Sequence, residues 1–162
     1  MKRIYTFILI AGLLLVMTGC QERKNEISVT TSVPTPKNHM EIINIYSIDP
    51  DTLTLVPVSV KKEDGKLSAE YIISLVLNNL SEYNIRTPEL KKSGKKLYVS
   101  FSSKGEPVKN CNKKVEKLIL ESFANSLLDN IETCEDIIFQ VEGNSYKSDN
   151  FDFKRDEVYT SR

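Results

Sequence analysis

The residues able to carry acid–base, nucleophilic or metal chemistry are few in this chain of 162 residues. The single histidine, His39, lies in a polar stretch with no second histidine to complete a zinc site or to activate a nucleophile. Gly94 and Gly105 are isolated turn glycines, and no glycine-rich phosphate loop is present. We therefore predict no metal site and no cofactor.

Pairs of carboxylates are the remaining route to hydrolysis, because glycosidases act through two acidic side chains. Four such pairs are close in sequence, and all fall in predicted turns or at strand ends, where acidic residues are common. The chain also has no tryptophan to stack on a sugar ring. We predict that the protein is not an enzyme. The pairs are Asp49/Asp51, Glu63/Asp64, Glu135/Asp136 and Asp149/Asp152.

Cys20 is the cysteine whose setting predicts a reaction. A basic start precedes an apolar stretch at residues 4–17, which is shorter than the roughly twenty residues of a membrane-spanning helix. The stretch ends in Met17-Thr18-Gly19-Cys20, which resembles the bacterial lipobox, with Met17 in place of the usual Leu. We predict cleavage between Gly19 and Cys20 and attachment of diacylglycerol to the Cys20 thiol.

This reading places the mature chain on the outer face of the bacterial cytoplasmic membrane. Residues 1–19 are the predicted signal peptide, and the two acyl chains on Cys20 provide a durable membrane anchor. A plain secretory signal would not require a cysteine after Gly19. A single-pass anchor would need further apolar residues, whereas Gln21 and Glu22 follow at once.

The charge of the mature chain argues against nucleic acid as a partner. Without Lys2 and Arg3 the chain has 20 basic and 22 acidic residues, a net charge of about −2. One basic cluster stands out, and we interpret it as a solvated loop before a strand. It consists of Lys91, Lys92, Lys95 and Lys96.

Two further cysteines, Cys111 and Cys134, are predicted not to form a disulfide. An extracytoplasmic location would permit a bridge. However, a helix of about eighteen residues is predicted between them, and it would be roughly 27 Å long. Bridged cysteines need Cα atoms only about 4.4–6.8 Å apart.

The mature chain divides into a linker, one domain and a tail. Residues 20–39 are polar, and Pro34 and Pro36 favour an extended linker. A single domain is expected at 40–155, followed by a frayed tail at 156–162.

Hydrophobic periodicity predicts the elements of the domain. Alternation predicts two strands that form a hairpin, with Pro57 marking an edge. Ser68 is the expected N-cap of the first helix, and Asn110 or Asn112 that of the second. A loop through Pro88 and Gly94 and a tight turn at Gly143-Asn144 are expected. The predicted strands are Glu41–Ser47, Leu53–Lys61, Lys96–Ser102, Asp136–Glu142 and Phe151–Phe153.

The predicted order is ββαβαββ, an α+β two-layer sandwich with two helices on one face of a mixed sheet. A right-handed crossover should connect the strands on either side of the second helix.

Two short stretches carry a resemblance to a known family. Asn125-Ser126-Leu127 at the end of a helix, and Val141-Glu142-Gly143 at the end of a strand, resemble motifs of the GerMN domain of sporulation and spore-germination proteins. The resemblance spans about residues 41–155. Asn78-Asn79-Leu80-Ser81 departs from the Gly-Pro that the family often has after its first helix.

The resemblance implies a compact α+β domain, often carried on a lipoprotein, that is similar to the ring-building modules of sporulation secretion complexes. It carries over no catalytic residue. The leading hypothesis is a lipid-anchored scaffold in sporulation or germination that binds an envelope protein or assembles with itself. The alternative is a lipoprotein that binds a small molecule or a cell-wall fragment. The candidate docking edge is the second strand, at Leu55, Pro57 and Val58.

Overall fold

The computed structural model describes residues 41–62, 65 and 67–161. The predicted signal peptide, Cys20, the linker and His39 lie outside the described residues. Those that are described belong to one compact unit, Asn38–Arg162. Its elements are β1 (Ile42–Asp49), β2 (Thr54–Lys61), α1 (Ala69–Asn79), a 3-10 turn (Ser81–Tyr83), β3 (Glu89–Ser93), β4 (Lys96–Phe101), α2 (Lys113–Asn130), β5 (Asp136–Val141), β6 (Asn144–Ser145) and β7 (Thr160–Ser161).

The predicted hairpin is confirmed, since β1 and β2 pair antiparallel from Ile42–Lys61 to Asp49–Thr54. The Asp49 carboxylate closes the turn by accepting the N–H groups of Asp51 (2.9 Å) and Thr52 (3.1 Å). These hydrogen bonds hold the pKa of Asp49 below its usual value.

The remaining strands form a five-stranded sheet in the order β3-β4-β5-β6, with β7 also pairing with β5. The β4 and β5 strands are parallel and the other pairs are antiparallel, so the sheet is mixed, as expected. A helix, α2, makes the crossover between the parallel strands.

The prediction of a solvated loop through Pro88 and Gly94 was wrong. Glu89–Ser93 forms β3, a hairpin with β4 that is closed by Gly94 (φ +60°) and Lys95. The four lysines are exposed, as expected, but they belong to a strand pair. Leu90 is the only apolar residue of β3, so the strand shows no alternation by which sequence periodicity could identify it.

The C-terminal segment also differs from the sequence expectation. In place of a frayed tail at 156–162, Tyr159 donates its N–H to Ile137 O (2.8 Å), and β7 pairs with β5. The Tyr159 ring packs 4.8 Å from that of Phe139. The expected strand Phe151–Phe153 forms only an isolated bridge, between Lys147 and Asp152.

The turn after β5 lies one residue earlier than predicted. Its two central residues are Glu142 (φ +51°) and Gly143 (φ +73°), which both have the left-handed backbone of a type I′ turn. Glycine adopts this conformation readily, whereas glutamate adopts it at a cost.

Both helices begin at the expected caps. Ser68 Oγ accepts the N–H of Tyr71 (3.2 Å), and Asn112 Oδ1 accepts the N–H of Val115 (3.0 Å). Neither helix of the described part of the chain combines the length and apolar composition that a bilayer-spanning helix requires.

The second helix lies at the centre of the core. One of its faces packs on β1, and another brings Phe123 within 5.4 Å of the Phe101 ring in β4. It also packs against α1. The α+β class is therefore confirmed. The strands, however, form two separate sheets rather than the single mixed sheet expected, and α2 contacts both of them.

Candidate functional site

The hairpin β1–β2 has two edges, and the register shows which backbone groups each edge presents. Lys62 donates its N–H to Glu41 O (2.9 Å), which fixes Glu41 and Lys62 as a hydrogen-bonded pair. Such pairs alternate along an antiparallel ladder. Asn44 and Tyr46 in β1 therefore direct their backbone groups away from β2.

The edge of β1 is covered by side chains of α2. Ser126 Oγ accepts the N–H of Tyr46 (2.8 Å), and the Asn130 side chain donates to Asn44 O (2.6 Å). Farther out, the Tyr46 hydroxyl donates to Asp129 Oδ2 (2.8 Å), and this bond, followed by burial, raises the pKa of Tyr46. Polar side chains of a helix thus replace a neighbouring strand.

The edge of β2 is free within the described chain, where β2 pairs with β1 alone. By the same register, Leu55, Pro57, Ser59 and Lys61 direct their backbone groups outward. Pro57 has no N–H, but because its backbone groups point away from β1, the proline costs no ladder hydrogen bond to that strand. Of the predicted docking residues, Leu55 and Pro57 lie on the free edge, whereas the backbone of Val58 faces β1.

On the inner face of the hairpin, the side chains of β2 are less buried than those of β1. In β1 the inward residues Ile43 and Ile45 are 6% and 0% exposed. Their β2 partners, Val60 and Val58, are only half-buried. The valines face inward and pack against the edge of the core, but each stays partly exposed.

The edge formed by β3 has a different character. Glu89, Lys91 and Lys92 are all exposed there, and Leu90 is half-buried. Charged side chains on an edge strand oppose pairing with another chain. Of these two edges, the apolar one at β2 is the better candidate for binding.

Comparison with known proteins gives one structural likeness. The solved structure of the tandem GerMN domains of the sporulation protein GerM from Bacillus subtilis is similar to this chain. The two are 14% identical, with a TM-score of 0.45 over 76% of this chain and 48% of that one. This chain thus spans about half the length of the solved chain. No family model matches the chain, and no curated protein matches it.

A buried polar network that sequence reasoning missed connects residues 146–150 to α2. Glu116 is fully buried and accepts hydrogen bonds from the Tyr146 hydroxyl (2.7 Å) and the Asn150 side chain (2.7 Å). Burial, and then this carboxylate, raise the pKa of Tyr146. The available signal was a glutamate within the apolar stripe of α2, one turn before Leu120.

In three of the carboxylate pairs singled out in the sequence, one member has a local structural partner. Asp49 closes the hairpin turn, Glu135 forms an ion pair with Lys95, and Asp152 forms one with Lys147 (3.3 Å). Glu63 and Asp64 lie outside the described residues. Within the part of the chain that is described, no three His, Cys, Asp or Glu residues are grouped to hold a metal ion.

Described residues line open, mostly polar clefts of about 260–450 Å³. One of about 350 Å³ lies at the carboxyl ends of the parallel strands β4 and β5, beside Ser102 and Glu142. Glu142 Oε1 accepts the N–H (2.9 Å) and the hydroxyl (3.0 Å) of Ser103, and these bonds lower the pKa of Glu142. The carboxylate therefore already has partners within the fold.

Proposed function

We propose that this protein is a lipid-anchored lipoprotein whose domain binds another envelope protein and catalyses no reaction. The single observation that carries the proposal is the apolar edge of β2, which no other described strand covers, with its half-buried valines. Exposed sheet edges of this kind are a recurrent mode of protein recognition. The clefts, by contrast, are open and polar, unlike the mostly apolar cavities that bury small ligands.

The proposed setting is the outer face of the bacterial cytoplasmic membrane. The lipobox-like Met17-Thr18-Gly19-Cys20 supports this location. The GerMN-like stretches Asn125–Leu127 and Val141–Gly143 support a scaffold role in sporulation or germination. We propose no nucleic-acid partner, since the mature chain has a slight negative charge.

The anchor is tested by replacing Cys20 with serine in the full chain. We expect the native chain in the membrane fraction with a radiolabelled acyl group, and the Cys20→Ser chain unlabelled and outside that fraction. Cys111→Ser is the matched control and should behave as the native chain. Equal membrane retention of all three proteins would contradict the anchor.

The docking role is tested by photo-crosslinking in vegetative and sporulating cells. A benzophenone amino acid is placed at Ser59 on the β2 edge and, as the matched control, at Lys91 on the β3 edge. We expect a specific protein adduct from position 59 and little from position 91. If no position yields a protein adduct in either state, the protein is not a docking module.

The alternative of a small-molecule or cell-wall ligand would place the ligand in the cleft beside Ser102 and Glu142, at the carboxyl ends of the parallel strands. Saturation-transfer NMR with muropeptides would favour it if contacts map to that cleft and are lost in Ser102→Ala.

A further inference from the structure

We infer that the outer edge of β2 binds an extended segment of a second, different protein as an added antiparallel strand. The inference rests on the proposed docking function and specifies its mode and the chemistry of the partner. It is carried by the hydrogen-bonding groups of the edge, by Pro57 and by the side chains beside it.

The outward groups of β2 offer most of a regular ladder. Leu55, Ser59 and Lys61 each present an N–H and a carbonyl, and Pro57 presents a carbonyl alone. An added strand can therefore both donate to and accept from Leu55 on one side and Ser59 on the other. At Pro57, between them, it can only donate. The partner residue opposite Pro57 donates its N–H and leaves its own carbonyl to solvent.

Pro57 also distinguishes a different chain from a second copy. If two copies paired through β2, the interface would contain two Pro57 residues and lose two ladder bonds. A different chain without proline at this position loses only one. Self-pairing is thus penalised twice, whereas a different partner can still bind.

The side chains define what the partner carries. Val56, Val58 and Val60 face the core side of the hairpin and are half-buried. A strand added beside β2 would place every second side chain next to these valines. Apolar side chains at those alternate positions would extend the inner layer by one strand.

The charges at the two ends of the edge predict which charges an antiparallel partner carries at its own ends. Lys61 is exposed at the carboxyl end of β2, and Asp51 is exposed at the other end of the hairpin. An antiparallel strand begins beside Lys61 and ends near Asp51. The matching segment therefore has an acidic residue at its start and a basic residue at its end.

The test uses the mature chain with Cys20→Ser, labelled with ¹⁵N, and a synthetic peptide with the sequence Glu-Val-Thr-Val-Thr-Val-Thr-Val-Lys. We expect saturable shifts of the amide signals of Leu55, Ser59 and Lys61 on titration. A peptide with the two charged ends exchanged should bind more weakly. Absence of saturable shifts at the β2 amides would overturn the inference.

Three variants separate backbone pairing from other causes. Asn44→Ala removes the acceptor of the Ser59 Oγ side-chain bond (2.8 Å) but keeps every N–H of β2, so it should bind as the native chain does. Ser59→Pro removes the N–H and should bind the peptide at least about tenfold more weakly. Pro57→Thr supplies the missing N–H and should bind about three- to tenfold more tightly.

Equal affinity of all three variants would overturn strand addition, and Pro57→Thr keeps the test valid if Ser59→Pro fails to fold. Concentration-dependent dimerisation of the native chain that Ser59→Pro abolishes would identify a second copy as the occupant and overturn the inference. With the benzophenone moved to Thr54, the exposed first residue of β2, an adduct in cells that Ser59→Pro leaves unchanged would reject this edge but retain the docking role. Absence of any adduct would reject the docking role itself.

Discussion

Ser126 lies where a neighbouring strand would ordinarily supply an acceptor to β1. Its hydroxyl accepts the N–H of Tyr46 and donates to Ser122 O (2.6 Å), so both its hydrogen-bonding directions are used. A larger side chain at this fully buried position would push β1 away from the helix. One small polar residue thus both permits the contact and satisfies the strand.

We predict that Ser126→Ala lowers the free energy of unfolding by about 1–3 kcal/mol, because it leaves the Tyr46 N–H without a partner. Urea denaturation measures the loss, and hydrogen exchange should show reduced protection of the Tyr46 amide. Ser122→Ala is the matched control, since its hydroxyl donates only to Leu118 O within the helix. Equal losses in the two variants would contradict this role.

Glu142 predicts a dependence of stability on pH. Hydrogen bonds from Ser103 lower the pKa of Glu142 from its ordinary value of 4.5, so the folded state favours the ionised form. Stabilisation by the carboxylate is therefore complete above the unfolded-state pKa and is lost as the pH falls through the lower folded-state pKa.

We expect the native chain to exceed Glu142→Gln in thermal stability at about pH 6, with the difference shrinking as the pH falls through the lowered pKa of Glu142. Melting curves at a series of pH values measure this difference. Glu89→Gln, at an exposed position of β3, is the matched control. A difference that is constant or grows on acidification would contradict the assignment.

At the level of elements, the sequence predicted the helices and strands whose apolar residues recur with a clear period. The helices carry long apolar stripes with polar N-caps, and the hairpin alternates, so these elements were found with their caps. The short strands β3 and β7 have too few apolar residues for periodicity to reveal them. Pairing places them in the sheet: β3 forms a local hairpin with β4, whereas β7 pairs with β5, which is distant from it in sequence.

The candidate site was only partly predictable for the same reason. Pro57 marked an edge from local chemistry alone. Coverage of the opposite edge depends on Tyr46 and Ser126, which are 80 residues apart in sequence. Only the folded topology shows that this edge is occupied and that the β2 edge has no second partner strand among the described residues.

The C-terminal segment gives a prediction at the same scale. Tyr159→Ala should lower the free energy of unfolding by about 2 kcal/mol, because the ring packs on Phe139 beside β7. Arg155→Ala, at an exposed position nearby, should have little effect. Chemical denaturation measures both. Equal stability of Tyr159→Ala and the native chain would mean that this segment does not belong to the folded core.

At the scale of the whole molecule, α2 holds the two remaining cysteines apart. Cys111 precedes the helix and Cys134 follows it, so its 18 residues separate them. They are not bridged to each other. Such a helix is about 27 Å long, well beyond the span of a disulfide. The domain is therefore stabilised by its core, even though it is proposed to function where disulfides form.

The reactivity of the thiols follows from this arrangement. Burial, and then the charges of Glu106 and Glu116, raise the pKa of Cys111 to about 12, so little reactive thiolate forms at neutral pH. Cys134 is 1% exposed. In the mature chain with Cys20→Ser, both thiols should therefore react slowly with Ellman's reagent while folded, and both should react promptly in guanidinium.

The oxidised, air-exposed protein provides the decisive measurement. If the helix keeps the thiols apart, dithiothreitol leaves the melting temperature of the protein unchanged, and unfolding in guanidinium makes both thiols reactive. Glutathione, which reacts at once under either condition, is the control for the reagent. A chain that yields no thiol on unfolding, and whose melting temperature falls on reduction, would contain a Cys111–Cys134 bridge. That bridge cannot coexist with an intact α2, so the result would contradict the fold at its central helix.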